Sequence, residues 1–148
     1  FSIGIKPDGS HKDTLLNLQR SEKLVIHIAS SEHIEALNQS AASLPYGESE
    51  LTPSALQTEE FEGFPLPRLK DAKVALGCSL DHVHVIGNAQ QSLVFVRLDT
   101  AWYADSIATQ NPDNGRISIN AEKLDPLARM GGTQYAFLGE YRNLKRPD

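Results

Sequence analysis

Two long β-rich runs, residues 72–86 and 92–107, meet at Gly87-Asn88-Ala89-Gln90, and that arrangement leaves few architectures open. In the first run Val74, Leu76, Cys78 and Leu80 fall on one alternation, followed by Val83 and Val85. Strand side chains point to opposite faces in turn, so this spacing predicts one apolar face. The second run carries Leu93 and Phe95 and, after a shift, Trp102 and Tyr103. A second hairpin signal follows at Asn111-Pro112-Asp113-Asn114-Gly115, where Asn-Gly suits the turns that match strand twist. Arg116-Ile117-Ser118-Ile119 reads as its short returning strand. Two long strands joined by a tight turn, with few helices around them, predict a mainly β fold, an antiparallel β-barrel with flanking helices. The length of 148 residues suits a single domain with a real core, residues 1–148.

The N-terminal stretch carries the clearest chemical signal. Phe1, Ile3 and Ile5 alternate with Ser2 and Gly4, as in a strand. Pro7-Asp8-Gly9 is a turn, Pro fixing φ and Gly permitting φ above zero. A helix then runs to about Arg20, with Leu15, Leu16 and Leu18 as its apolar face and Ser10 or Asp13 as its cap. Its first turn combines free backbone N–H groups, Lys12 and hydroxyls at Ser10 and Thr14, which is an anion site in outline. The alternative is an ordinary capped helix with an exposed lysine.

Leu24-Val25-Ile26-His27-Ile28-Ala29 is too continuous for a surface strand and predicts one buried on both faces. Ser30 or Ser31 caps a second helix with Ile34 and Leu37 inward. From residue 42 to 69 the chain is a long acidic loop punctuated by prolines, with a few helical residues around Pro53 to Thr58 as an option. Its carboxylates Glu48, Glu50, Glu59, Glu60 and Glu62 read as a solvated loop ahead of acid–base machinery. A short helix is expected from Glu122 to Arg129, ended by Gly131-Gly132, with a polar tail from Asn143 to Asp148.

Composition narrows the function classes. A net charge of −5 argues against nucleic acid as a partner. No apolar run is long enough to span a bilayer. One cysteine, Cys78, excludes an internal disulfide framework and fits a reducing, cytoplasmic setting. Cys78 reads as a small buried strand residue, with a reactive thiol as the alternative. His82 and His84 share a strand face and permit a metal pair, but no third ligand is signalled, so no metal site is assigned. There is no Gly-x-Gly-x-x-Gly after a strand and no Gly-x-Ser-x-Gly elbow.

Taken in order, Lys12-Asp13-Thr14-Leu15-Leu16-Asn17, Leu24-Val25-Ile26-His27, the Pro45-x-Gly47-x-x-Glu50 loop, Val74-Ala75-Leu76-Gly77-Cys78 and Leu124-Asp125-Pro126-Leu127-Ala128-Arg129-Met130-Gly131-Gly132-x-x-Tyr135 form a series over nearly the whole chain. This series resembles the flavin reductase-like family of FMN-binding split barrels, in the branch that includes flavoredoxin. The first and last motifs are the more specific. The resemblance implies a six-stranded Greek-key barrel flanked by helices, usually a homodimer, with FMN held non-covalently near the dimer interface. It also implies NADH or NADPH as hydride source, free flavin or another acceptor, and a monooxygenase or electron-transfer partner. For the residues, it implies an FMN site containing Ser10, His11, Lys12, Asp13, Thr14, Arg129 and Tyr135. The phosphate would lie on the first-turn N–H groups, Thr14 and Lys12, with Asp13 capping or orienting and Tyr135 on the flavin ring. Arg129 would approach the flavin or the other subunit, or form a structural salt bridge. Family members carry further strands and flavin contacts ahead of the position of Phe1, so an N-terminally incomplete barrel is expected. Where the family often has Asn, this chain has His27. The competing readings are a non-catalytic FMN- or ligand-binding module on the same barrel, and a dimeric interaction protein without a small ligand.

Overall fold

The computed structural model describes residues 1–88, 91–145 and 147. Ala89 and Gln90, half of the expected hairpin turn, lie outside the described residues, as do Arg146 and Asp148 of the tail. The chain runs β1 (Ser2–Ile3), α1 (Asp13–Ser21), β2 (Lys23–His27), a 3₁₀ turn (Ser31–His33), α2 (Ile34–Gln39), β3 (Thr58–Glu59), β4 (Arg68–Leu69), β5 (Val74–Ile86) and β6 (Gln91–Tyr103). A second 3₁₀ turn (Asp105–Ile107), β7 (Ala108–Gln110), β8 (Ile117–Ile119), α3 (Ala121–Leu124), β9 (Ala128–Gly131) and β10 (Gln134–Ala136) complete it. The protein is mainly β. Among the described residues its largest sheet has the order β1-β6-β5-β2, four strands where the resemblance implies six, and there are three further two-stranded pairs.

The β5–β6 ladder spans both strands, from Val74 opposite Tyr103 to Ile86 opposite Gln91. It contains two irregularities, each at an aspartate: the register skips Asp99 on β6 and Asp81 on β5. A bulge leaves one residue unpaired and redirects its neighbours. The expected alternation therefore does not hold along the strand. Ala75, Gly77, Cys78 and Ser79 are buried, whereas Val74, Leu76 and Leu80 are half-buried. On β6 the core positions are Ser92 and Val94, and Phe95 lies on the other face, stacked on the His82 ring at 4.3 Å. Beside the Asp99 bulge, Lys23 Nζ donates to Ser79 Oγ at 2.6 Å and to Asp99 Oδ2 at 3.0 Å, and Ser79 donates to Asp99. The Ser79 hydroxyl, then Lys23, holds the Asp99 carboxyl down to about 2.

One core cluster joins Ile3, Leu15, Leu18 and Val94, with Leu24, Leu80, Val83 and Val96 packed against it. In α1, Leu15 and Leu18 are both buried and three residues apart, on one face. Leu16 is 37% exposed, against expectation, because one helical step turns it off that face. Each fully buried leucine contributes about 1.5–3 kcal/mol to holding α1 on the sheet. Glu22, at φ 55°, closes the helix by donating its N–H to the Leu18 carbonyl. β2 is half-buried throughout and not buried on both faces, because it pairs with β5 alone and sits at the sheet edge. The expected helical residues after Pro53 are turns, with Ala55 at φ 54° interrupting any helix.

The C-terminal reading needs the largest correction. The helix ends at Leu124, where Asp125 takes φ 50° and Pro126 cannot supply the next N–H. Ala128 to Gly131 is strand β9, paired with β10, so Gly131 ends a strand and Gly132 opens the hairpin turn with Thr133; neither is a helix cap. The Asn114-Gly115 hairpin forms between β7 and β8 as expected, with Gly115 at φ 69°.

Gly77 is packed so closely that a Cβ would stand 2.8 Å from Thr100 Cγ2 and 2.9 Å from Phe64 Cδ2. Gly77→Ala should destabilise the fold by about 1–3 kcal/mol, the range for overpacking. Urea unfolding would show this as a lower midpoint with unchanged slope.

Candidate functional site

The turn at Pro7-Asp8-Gly9 brings the chain back on itself, with Gly9 N–H donating to the Lys6 carbonyl at 2.9 Å and Lys6 N–H to the Ser10 carbonyl at 2.8 Å. Neither expected residue caps α1. Ser10 donates from both N–H and Oγ to Asp8 Oδ1, which holds the Asp8 carboxyl below its ordinary range. Asp13 lies inside the first turn, and its Oδ1 accepts from Lys6 Nζ at 2.6 Å. The cap position is Lys12, whose side chain cannot accept; Leu15 N–H donates to the Lys12 carbonyl at 2.9 Å, and among the described residues no side chain satisfies the N–H groups of Asp13 and Thr14. Among the described residues Lys12 has no ion pair.

Lys12, Asp13 and Thr14 line a cavity of about 200 Å3 together with Lys6, Ser40 and Glu50. Ser10 and His11 are not on it; His11 bridges to Ile5 across the turn. The cavity thus collects uncapped helix N–H groups, the Lys12 ammonium and three hydroxyls, those of Thr14, Ser40 and Ser43. Such a helix start favours an anion. The Asp13 and Glu50 carboxylates would oppose one; Lys6 neutralises Asp13, and Lys12 offsets Glu50 on the same lining.

Arg129 and Tyr135 come together on the C-terminal hairpin. The Arg129 guanidinium lies 5.4 Å from the Tyr135 ring centroid, and its Nη1 donates to Tyr135 Oη at 3.3 Å. Tyr135 Oη donates to Asn38 Oδ1 on α2 at 3.2 Å, and Arg129 Nη2 donates to the Gly132 carbonyl at 2.8 Å. Among the described residues Arg129 is in no salt bridge; the aromatic ring takes that place. The hairpin reaches α2 because the segment before it is docked. Ser30 Oγ donates to the Leu124 carbonyl at 2.7 Å, Ser31 Oγ donates to Asp125, and Leu127 N–H donates to the Ala29 carbonyl at 2.9 Å. The end of α2 therefore borders both groups, Asn38 towards Arg129 and Tyr135, and Ser40 on the Lys12 cavity. Sequence reasoning missed Asn38 and Ser40, since neither sits in a motif that marks its tertiary partner.

His27 ends β2, and its Nε2 accepts the Leu69 N–H at 3.0 Å. Burial, then the nearby Arg68 charge, pushes its pKa down to about 4. Arg68 pairs with Glu59 at 2.5 Å and stacks 3.4 Å over the Trp102 ring. Glu59 is thus the one member of the acidic loop tied to a buried cation, and Glu50 reaches the Lys12 cavity. His82 is bonded to Asp81 at 2.7 Å, and among the described residues no three His, Cys, Asp or Glu side chains converge as metal ligands. Cys78 is buried, and burial pushes its thiol up. No helix among the described residues is long and apolar enough to cross a membrane.

The profile of the flavin reductase like domain matches residues 1–121. The chain belongs to the flavin reductase-like family. A relative from Halalkalibacterium halodurans, itself uncharacterised, is 33% identical over 99% of this chain and 69% of its own. Among solved structures, nitrilotriacetate monooxygenase component B from Bacillus cereus superposes with a TM-score of 0.82 at 31% identity, covering 97% of this chain and 69% of that one. The FMN-binding domain of a flavin reductases-like enzyme from Shewanella baltica superposes at 0.69 with 16% identity, covering 97% of this chain and 73% of that one. The β5–β6 ladder with its flanking helices is thus a flavin reductase-like split barrel. The Lys12-Asp13-Thr14 helix start lies inside the matched range, and the Arg129–Tyr135 hairpin lies beyond it.

In this flavin reductase-like chain His27 also sets an acid limit. Between about pH 6.5 and about pH 4 the unfolded chain binds a proton that folded His27 refuses, so stability falls as pH drops through that window. Gln can accept the Leu69 N–H without titrating. His27→Gln should flatten the loss of stability between about pH 7 and about pH 4.5, measured by urea unfolding at each pH.

Proposed function

We propose that this chain is an FMN-binding oxidoreductase that takes hydride from NADH or NADPH and passes electrons to free flavin or another acceptor. The observation that carries this reading is the uncapped start of α1 beside the unpaired Lys12, in a chain of the flavin reductase-like family. The residues fit a phosphate. Backbone N–H groups of the first turn, the Thr14 hydroxyl and the Lys12 ammonium are all donors, and Lys6 cancels the one carboxylate on that turn. FMN, when bound, supplies the two-electron chemistry that amino-acid side chains lack.

The protein's part is to bind and orient. Lys12 and the helix start fix the phosphate end, and Thr14 limits its rotation by a directional hydrogen bond. Tyr135, held by Asn38 and Arg129, offers an aromatic face to the ring system. Ser10, committed to Asp8, and His11 act by shaping the turn that presents Lys12. Without a dinucleotide-binding fingerprint, the nicotinamide substrate binds by stacking at the flavin and not in a dedicated phosphate cradle. The protein works as a homodimer, with a monooxygenase component or electron-transfer protein as the acceptor's destination, in keeping with the component B likeness.

The purified full-length protein should be yellow or take up FMN, with the visible spectrum of a bound flavin, and should oxidise NADH or NADPH with saturation kinetics. A protein that stays colourless in excess FMN would overturn the reading. Flavin uptake without turnover would leave a binding module. Lys12→Ala should weaken FMN binding by about 1–3 kcal/mol, the range for a charge-assisted hydrogen bond, with the fold retained by circular dichroism. Unchanged affinity in that variant would place the phosphate elsewhere.

A further inference from the structure

A second cavity, of about 250 Å3, lies between β2 and α2 and is separate from the Lys12 cavity in its lining. His27 and His33 face it among Ile28, Leu37, Leu69 and Ala72. The hydrogen bonds of the two rings fix their neutral tautomers. His27 Nε2 accepts from Leu69 N–H at 3.0 Å, so the proton of the neutral ring sits on Nδ1. His33 Nδ1 accepts from Ser30 N–H at 3.2 Å, so its proton sits on Nε2. Among the described residues neither ring N–H meets an acceptor. Neither is sealed off, because the single fully buried side-chain atom without a partner there is Ser54 Oγ.

We propose that this cavity is a binding site for a small carboxylate with an apolar body, its two oxygens taking the free N–H groups of His27 and His33. The chemistry selects an acceptor-only group. An alcohol or primary amide would bring donors of its own, and the apolar walls offer nothing to receive them. Drug-sized pockets run from about 300 to 1,000 Å3. This cavity is smaller, which sets the body at one ring or a short branched chain. The site does not depend on the FMN reading, since it shares no lining residue with the Lys12 cavity.

Benzoate is the probe, titrated into the full chain and followed by imidazole ¹⁵N resonances and calorimetry. Saturable shifts at His27 and His33 are expected, with toluene binding at least about tenfold more weakly. His33→Asn keeps an acceptor for the Ser30 N–H and removes the ring donor, and should cost about tenfold in benzoate affinity. Leu37→Trp fills the apolar end and should abolish binding. Both variants are checked by circular dichroism, and the parent titration decides the matter even if one of them does not fold. Absence of saturation, shifts confined to the Lys12 region, or parent-like affinity in folded His33→Asn would each overturn the proposal.

Discussion

The antiparallel ladder between β5 and β6 is the constraint on which the other elements depend. Its two thirteen-residue strands are longer than the neighbours they carry. β1 pairs at the hairpin end of β6, opposite Ser92 and Leu93, while β2 pairs at the far end of β5, along Ala75 to Ser79. α1 connects those two positions and buries Leu15 and Leu18 over the sheet between them. The N-terminus of α1 is therefore held by strand pairing on one side and leucine packing on the other. A site at Lys12 needs that rigidity, because first-turn N–H groups bind an anion only if their direction is fixed.

The two aspartate bulges show how a local irregularity becomes tertiary structure. Asp99, left out of the ladder, turns its carboxylate to Ser79 and Lys23 and ties the start of β2 to the middle of the sheet. Asp81, left out on the opposite strand, pairs with His82, whose ring then covers Phe95. Each bulge also resets which face is buried. Small residues such as Gly77 and Ser79 consequently occupy the tightest positions, and larger ones such as Leu76 stay half-exposed.

That explains what could be read from residues alone. The two long strands, the Asn114-Gly115 hairpin and the α1 helix are carried by periodicity and turn chemistry, which act over a few residues, and all three are present. The alternation along β5 failed because a bulge depends on the partner strand, and no spacing within residues 74–80 encodes it. The helix expected to reach Arg129 ends at Leu124 although Ala128-Arg129-Met130 has good helix propensity, because propensity yields to tertiary context. Asp125 in a left-handed conformation and Pro126 were the available signals against it. For the site, Lys12, Asp13 and Thr14 were legible because a helix start has a local signature. Asn38, which holds Tyr135, is one polar residue on an exposed helix face until its partner arrives from residue 135.

The Lys6–Asp13 pair bears on why an acidic residue belongs at an anion site. An aspartate in the first turn of a helix is favourable for the helix, because it meets the positive end of the dipole. The same charge repels a phosphate seeking the same N–H groups. With Lys6 on Asp13 at 2.6 Å, that carboxylate is matched locally, and Lys12, in no ion pair among the described residues, shares the cavity lining with Glu50. The turn at Pro7-Asp8-Gly9 makes this possible by placing Lys6 back against the helix it precedes. The helix thus keeps its favourable first-turn charge, while the cavity's free positive charge comes from the cap residue itself.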